Sequence, residues 1–137
     1  MTALPADITA AMTDADWWGA WVGRADWSRW LVFLRAVFAL PMSAADLAIY
    51  QECTGRVDPL QARAKEAYAN VGRRGGKTRI MATIAAWLAC FEDWQQYLVP
   101  GEHARAVETL AAIRHVFAGE EAFAPMCRRG GAPFARR

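Results

Sequence analysis

The sequence has few side chains of the kind that bind metal ions or form disulfides. Its three cysteines, Cys53, Cys90 and Cys127, are odd in number and far apart, and its only histidines are His103 and His115. No Cys-x-x-Cys pair occurs. Because structural zinc sites and disulfide frameworks need paired or closely spaced ligands, we predict neither. We expect three reduced cysteines in a cytoplasmic protein.

Long hydrophobic runs are also lacking. The uncharged run Ile80–Phe91 has 12 residues, whereas a membrane-spanning helix needs about 20. The first residues, MTALPADITAAMTDAD, have no basic segment followed by an apolar one, so the sequence predicts no signal peptide and no association with a membrane.

Positive charge is scarce except in two places. The last twelve residues carry four Arg and no acid, which leaves 12 basic and 14 acidic side chains in residues 1–125. That balance does not indicate a nucleic-acid binder by bulk charge. The second basic place is a cluster of four cations within seven residues: Arg73, Arg74, Lys77 and Arg79.

The composition is typical of a globular protein, with 55% hydrophobic and 22% charged residues in a chain of 137. In the first third of the chain, apolar residues recur at the spacing of a helix. Thr13 or Asp14 can cap a first helix that carries the first tryptophans and ends near Gly23. Asp26 can cap a second helix, which ends at Pro41. Its apolar stripe comprises Trp27, Trp30, Leu31, Leu34, Val37 and Phe38, and we interpret these aromatics as core residues rather than a ligand cage.

A third helix is predicted from the capping-box spacing of Ser43 and Asp46 to a stop at Gly55. Residues 57–63 read as a connection, and residues 67–71 as a short strand. After a loop at Gly72–Gly76, hereafter the glycine loop, a helix begins at Lys77. Its apolar face comprises Ile80, Ile84, Trp87, Leu88 and Phe91. Residues 104–118 could be a strand followed by a helix, or one helix.

The glycine loop and the two residues after it have the chemistry of a phosphate-binding loop. Glycine lets the backbone wrap an anion with its N–H groups, and Gly75 and Gly76 supply it. Lys77 supplies an ammonium for the terminal phosphates, and Thr78 a hydroxyl for Mg²⁺ at the start of a helix. The general pattern GxxxxGK[ST] is matched imperfectly, because its first glycine falls at Gly72, one position late. The alternative to a phosphate-binding loop is a basic turn exposed to solvent.

The chain resembles the N-terminal segment of the large subunit of tailed-phage terminases, the ATP-driven motors that package viral genomes. Three stretches carry the likeness: DWSRWLVFLRAVFALPMSAADLAIYQECTGR (26–56), VGRRGGKTRIMATIAAWLACFEDW (71–94) and LVPGEHARAV (98–107). The likeness covers about residues 17–112. The variant loop of that family is shorter than the general pattern and has an arginine directly after its first residue.

The resemblance implies roles for individual residues. Gly72 corresponds to the opening residue of the loop and Arg73 to the arginine that senses the γ-phosphate, so Lys77 and Arg73 would be the catalytic residues. Nucleotide contacts would come from all of Gly72, Arg73, Arg74, Gly75, Gly76, Lys77 and Thr78, with Thr78 as the metal ligand and ATP and Mg²⁺ as cofactors. Arg74 either assists Arg73 or faces solvent. Candidates for the adenine contact are Tyr50, Gln51 and Gln61.

The fold expected from these residues is α/β: an N-terminal helical region (1–60), a truncated P-loop NTPase β-loop-α unit (61–118), and a disordered tail (119–137), mostly helical overall. The run WLACFED (87–93) continues the helix after the loop, so we do not assign it as a Walker B strand. No acidic nuclease cluster follows. The parent family is an ATPase and endonuclease, and this chain is expected to be truncated and not competent alone.

Partners implied by the resemblance are double-stranded DNA, the small terminase subunit and the portal, in a host bacterial cytoplasm during viral or prophage genome packaging. An alternative function is a non-catalytic helical module that binds a packaging partner or nucleic acid. A complete small P-loop kinase or phosphatase-like enzyme is disfavoured, because the acidic partner residues are lacking. Thr54-Gly55-Arg56 matches a family stretch, or is simply a helix stop.

Overall fold

The computed structural model describes residues 4–19 and 26–92. These residues form four helices: α1 (Ile8–Thr13), α2 (Ser28–Phe38), α3 (Ala44–Thr54) and α4 (Lys77–Phe91). Within the described ranges, no helix is both long and apolar enough to cross a membrane. The predictions for residues 104–118 and for the tail (119–137) lie outside the described residues.

The first helix lies earlier in the chain than predicted. The Asp7 carboxylate accepts hydrogen bonds from the N–H groups of Thr9 and Ala10, at 2.8 and 2.9 Å, and so caps α1. Asp14, one of the two predicted caps, instead ends this helix in an extended conformation. Trp17 and Trp18 lie in the turn that follows and are both buried. Residues 15–18 therefore form a turn and not the predicted helix, although the Asp14 carboxylate accepts from the Asp16 N–H at 2.8 Å, as a cap would. Residues 20–23 of that prediction lie outside the described residues.

Helix α2 follows the predicted apolar stripe. The Asp26 carboxylate accepts from the Ser28 N–H at 3.0 Å, at the start of the helix. Leu34 is fully buried, and the stripe residues Trp27, Trp30, Leu31 and Phe38 pack against the same core. The helix ends at Ala39, whose φ of 52° is left-handed, two residues before the predicted stop at Pro41.

Helix α3 confirms the predicted caps at both ends. Ser43 and Asp46 form a reciprocal capping box, and Gly55 ends the helix with a left-handed φ of 69°. Burial raises the pKa of Asp46, but hydrogen bonds from Ser43 and the Arg35 guanidinium outweigh it, so this pKa lies below its ordinary value. The carboxylate also pairs with Arg35 at 2.8 Å, which ties α3 to α2.

Helix α4 begins at Lys77, as predicted, and its apolar face enters the core. Ile80 and Trp87 are buried, and Ile84, Leu88 and Phe91 pack against the core cluster. That cluster joins α1, the Trp17–Trp18 turn, α2 and α4. The Trp87 ring stacks on Phe91 at 4.3 Å and meets Trp18 edge-on at 6.3 Å. The interpretation of Trp27 and Trp30 as packing residues is confirmed, since both are half-buried and pack against this cluster.

The predicted strand at residues 67–71 is wrong. No strand occurs in the described part of the chain, and Tyr68, within this segment, is 91% exposed. A strand needs a partner to satisfy its backbone N–H and C=O groups, and residues 4–19 and 26–92 offer none. The fold of these residues is therefore helical, and the α/β class with a β-loop-α unit is wrong.

The connection between α3 and α4 is held by a few contacts near its middle. The Ala64 N–H donates to the Val37 carbonyl at 2.9 Å. The Arg63 guanidinium lies 4.5 Å over the Phe38 ring and pairs with the Glu92 carboxylate. The connection is thus anchored to α2 and to the C-terminal end of α4, and the chain then returns to the other end of α4.

Candidate functional site

The glycine loop reverses the chain directly before α4. Two of its residues have left-handed backbone conformations, Arg74 at φ 59° and Gly76 at φ 79°. The Gly75 N–H approaches the Gly72 carbonyl at 3.4 Å and closes a tight turn. Gly76 is the residue before the helix and has no side chain to cap it, so the first N–H groups of α4 are left for another acceptor.

Lys77 folds back over the glycine loop. It is the first residue of α4, and its Nζ donates to the Val71 carbonyl at 3.0 Å and to the Gly72 carbonyl at 2.7 Å. An ammonium has three N–H donors, so one remains beyond these two bonds. The side chain is exposed. The two bonds therefore hold the ammonium against the loop on its solvent-exposed side.

Two glycines are required by close contacts. A Cβ built on Gly76 would lie 2.6 Å from Cζ3 and 2.7 Å from Cη2 of the Trp27 ring. A Cβ on Gly75 would overlap the Val71 side chain. The backbone of the loop thus packs directly on helix α2 and on the segment before the loop, at distances that only glycine permits.

Trp30 of α2 also contacts the loop. Its indole Nε1 donates to the Gly75 carbonyl at 2.6 Å, and its ring meets Phe33 edge-on at 5.4 Å. We predicted only that Trp30 packs in the core. The helical period finds the apolar stripe but gives no signal for this bond, because the two residues are 45 positions apart.

A cleft of about 1080 Å³ opens between the N-terminal end of α2, the end of α3 and the glycine loop. Five charged residues from the described part of the chain line it, and four of these are cationic: Arg29, Arg74, Lys77 and Arg79. The fifth is Asp26, whose pKa is lowered by hydrogen bonds from Ser28 and by the charge of Arg29. The cleft therefore favours an anion.

The cleft brings together six of the seven residues predicted to bind nucleotide: Gly72, Arg74, Gly75, Gly76, Lys77 and Thr78. Arg73, predicted to sense the γ-phosphate, is exposed and does not line the cleft, whereas its neighbour Arg74 does. Thr78 is exposed at the second position of α4. Its hydroxyl fits a magnesium ion that also binds phosphate oxygens, since Mg²⁺ in such sites takes few protein ligands.

The candidate adenine contacts lie elsewhere. Tyr50 is buried and its hydroxyl donates to the Asp58 carbonyl at 3.4 Å. The side-chain amides of Gln51 and Gln61 donate to the carbonyls of Val57 and Pro59. None of the three lines the cleft. In the Thr54-Gly55-Arg56 stretch, Gly55 ends α3, which confirms the helix-stop interpretation.

The acidic residue at the far end of α4 is used in packing. Glu92 accepts from the Trp87 indole at 3.1 Å and pairs with Arg63. The 15 residues of α4 separate it from the glycine loop by roughly 22 Å at about 1.5 Å per residue. Residues 87–91 are helical, which confirms that this run is not a Walker B strand; Asp93 lies outside the described residues.

The site is thus a glycine loop closed by a lysine, packed on two tryptophans of a neighbouring helix and open to a cationic cleft. No family model, curated protein or solved structure matches the chain.

Proposed function

We propose that this chain is the nucleotide-binding portion of a viral or prophage terminase large subunit, and that Gly72–Thr78 binds the phosphates of ATP with Mg²⁺. The family assignment rests on the resemblance of residues 26–56, 71–94 and 98–107. The expected setting is the bacterial cytoplasm, where such motors package DNA. The glycine loop lies directly before a helix, but within residues 26–92 it follows no strand, unlike the P-loop of NTPases.

The observation that carries the proposal is the position of Lys77. Its ammonium lies over the glycine loop, 3.0 and 2.7 Å from two loop-side carbonyls, at the start of a 15-residue helix. The helix N-terminus has a partial positive charge, and no side chain of its Gly76 cap accepts from its first N–H groups. A phosphate placed there would meet the helix, the glycine amides and the ammonium at once.

The other residues take roles set by their places in the cleft. Gly76 would supply a backbone N–H group, Thr78 would hold Mg²⁺, and Arg74 would neutralise a terminal phosphate. Arg73 lies outside the cleft lining, so we assign the phosphate contact to Arg74 before Arg73. Mg²⁺, when bound, supplies charge neutralisation between phosphates. We assign binding, not turnover, to this part of the chain, because among residues 4–19 and 26–92 the one acid that lines the cleft is Asp26, which accepts from Ser28.

The test compares the only two lysines of the sequence, Lys77 and Lys65. Lys65 is exposed and does not line the cleft. A charge-assisted hydrogen bond contributes about 1.5–3 kcal/mol, so Lys77→Ala should weaken the binding of Mg-ATP about 10- to 100-fold. Lys65→Ala should leave it unchanged. The measurement is calorimetric titration of the full chain. Equal affinities of both variants and the wild type would refute the phosphate role.

A second candidate is a module that binds nucleic-acid phosphates. It is favoured by the exposure of all four cations of the basic cluster, including Arg73 outside the cleft. DNA affinity that falls steeply with salt, with no Mg-ATP binding, would support this function. Binding of this chain to DNA, to the small terminase subunit or to the portal is part of the proposal.

A further inference from the structure

The peptide group between Gly75 and Gly76 has its orientation set by helix α2. The carbonyl of Gly75 accepts from the Trp30 indole at 2.6 Å. In a planar trans peptide, the C=O and the following N–H point in opposite directions. With the carbonyl held towards Trp30, the N–H of Gly76 points away from the Trp30 indole.

This peptide would be easy to reverse without such a contact. Both flanking residues are glycine, and glycine adopts φ values of either sign at similar cost. Rotation of the peptide plane would change the φ of Gly76 from its value of 79° to a negative one. It would also exchange the N–H for the carbonyl, and a carbonyl repels an anion. Two orientations of this peptide are therefore sterically open to the glycine pair, and the one that presents the carbonyl to the anion does not suit a phosphate.

We propose that Trp30 is a positioning residue that holds the Gly75–Gly76 peptide in its anion-binding orientation. This inference rests on the proposed function of the glycine loop and adds to it a residue from another helix. The Trp30 ring is fixed edge-on against Phe33, and Trp27 fills the space beside Gly76. Trp30 of α2 and Trp27, the residue before this helix, thus act on adjacent loop residues, one through a hydrogen bond and one through packing.

The test removes an indole hydrogen bond at each end of α4. Trp30→Phe keeps an aromatic ring but loses the donor to Gly75. Trp87→Phe is the matched control, because its indole donates to Glu92 at 3.1 Å, far from the loop. We expect Trp30→Phe to bind Mg-ATP and inorganic tripolyphosphate about fivefold more weakly than the wild type. Trp87→Phe should match the wild type in affinity, while both variants lose similar stability in urea.

The outcomes separate this inference from the proposed function. If binding needs Lys77 but Trp30→Phe binds as tightly as the wild type, or both Phe variants weaken binding equally, the positioning role is wrong and the proposed function stands. If the wild type binds neither ligand, both are wrong. A measurement on the wild type keeps the test valid if a variant does not fold. In the NMR spectrum of the wild type, the indole proton of Trp30 should be protected from exchange with solvent, and its signal should shift when Mg-ATP is added. An indole proton that exchanges freely would overturn the role.

Discussion

We expect Gly76→Ala to lower the free energy of unfolding by about 2–5 kcal/mol and to abolish measurable Mg-ATP binding. The left-handed φ of 79° costs a residue with a Cβ about 1–2 kcal/mol. The new methyl would also lie 2.6 Å from the Trp27 ring, and overpacking of this kind costs about 1–3 kcal/mol. Relief of either strain moves the loop away from α2, which displaces the amides that would bind phosphate.

Two other glycines separate the cost of the left-handed backbone from the cost of the contact with Trp27. Gly55 has a φ of 69° and nothing within 4 Å of a built Cβ, so Gly55→Ala should cost only the backbone term, about 1–2 kcal/mol. Gly72→Ala has neither strain nor contact and should change stability by less than about 0.5 kcal/mol. Urea denaturation followed by tryptophan fluorescence measures all three. If Gly76→Ala is no costlier than Gly55→Ala, the contact between the loop and Trp27 does not exist in solution.

The second large effect is expected for Leu34→Ala. Leu34 is 0% exposed in the cluster that joins α1, α2 and α4, and removal of such a side chain costs about 2–5 kcal/mol through lost burial and the cavity left behind. This is a large fraction of the stability of a small domain, about 5–15 kcal/mol. We therefore expect a clearly lower urea midpoint.

Leu4→Ala is the matched control for that core substitution. Leu4 is 76% exposed, so its truncation should stay within about 0.5 kcal/mol. Equal costs for the two variants would show that α2 does not lie at the centre of the fold. A loss of less than about 1 kcal/mol for Leu34→Ala would show the same.

The elements predicted well from the sequence are those fixed by local chemistry. Helix α3 has a capping box at its start and a glycine at its end, and both signals lie within a few residues of the helix. The start of α4 at Lys77 is local too, because the glycine pair breaks the chain and an apolar period follows. Helix α1, capped by Asp7, was not predicted, and residues 15–18 of the helix predicted from Thr13 or Asp14 form a turn.

The predictions that failed or were missed depend on distant residues. The strand at residues 67–71 needed a partner strand that the described ranges do not supply. The hydrogen bond from Trp30 to Gly75 joins residues 45 positions apart in the sequence. The tight contact of Gly76 with Trp27 joins residues at a similar separation in the sequence. The glycine loop could thus be located from the sequence, but what holds its shape could not.

The most direct test of the account is an amide NMR titration of the ¹⁵N-labelled chain with Mg-ATP. We expect the largest chemical-shift changes at the N–H groups of Gly75, Gly76, Lys77 and Thr78. The change at the Trp30 indole should be smaller, and the signals near Ser43, at the start of α3, should not change. Loss of these shifts in Lys77→Ala would tie them to the ammonium. Nucleotide that binds while the loop amides stay unchanged, or shifts spread evenly over exposed arginines, would contradict the claim that this loop holds the phosphates.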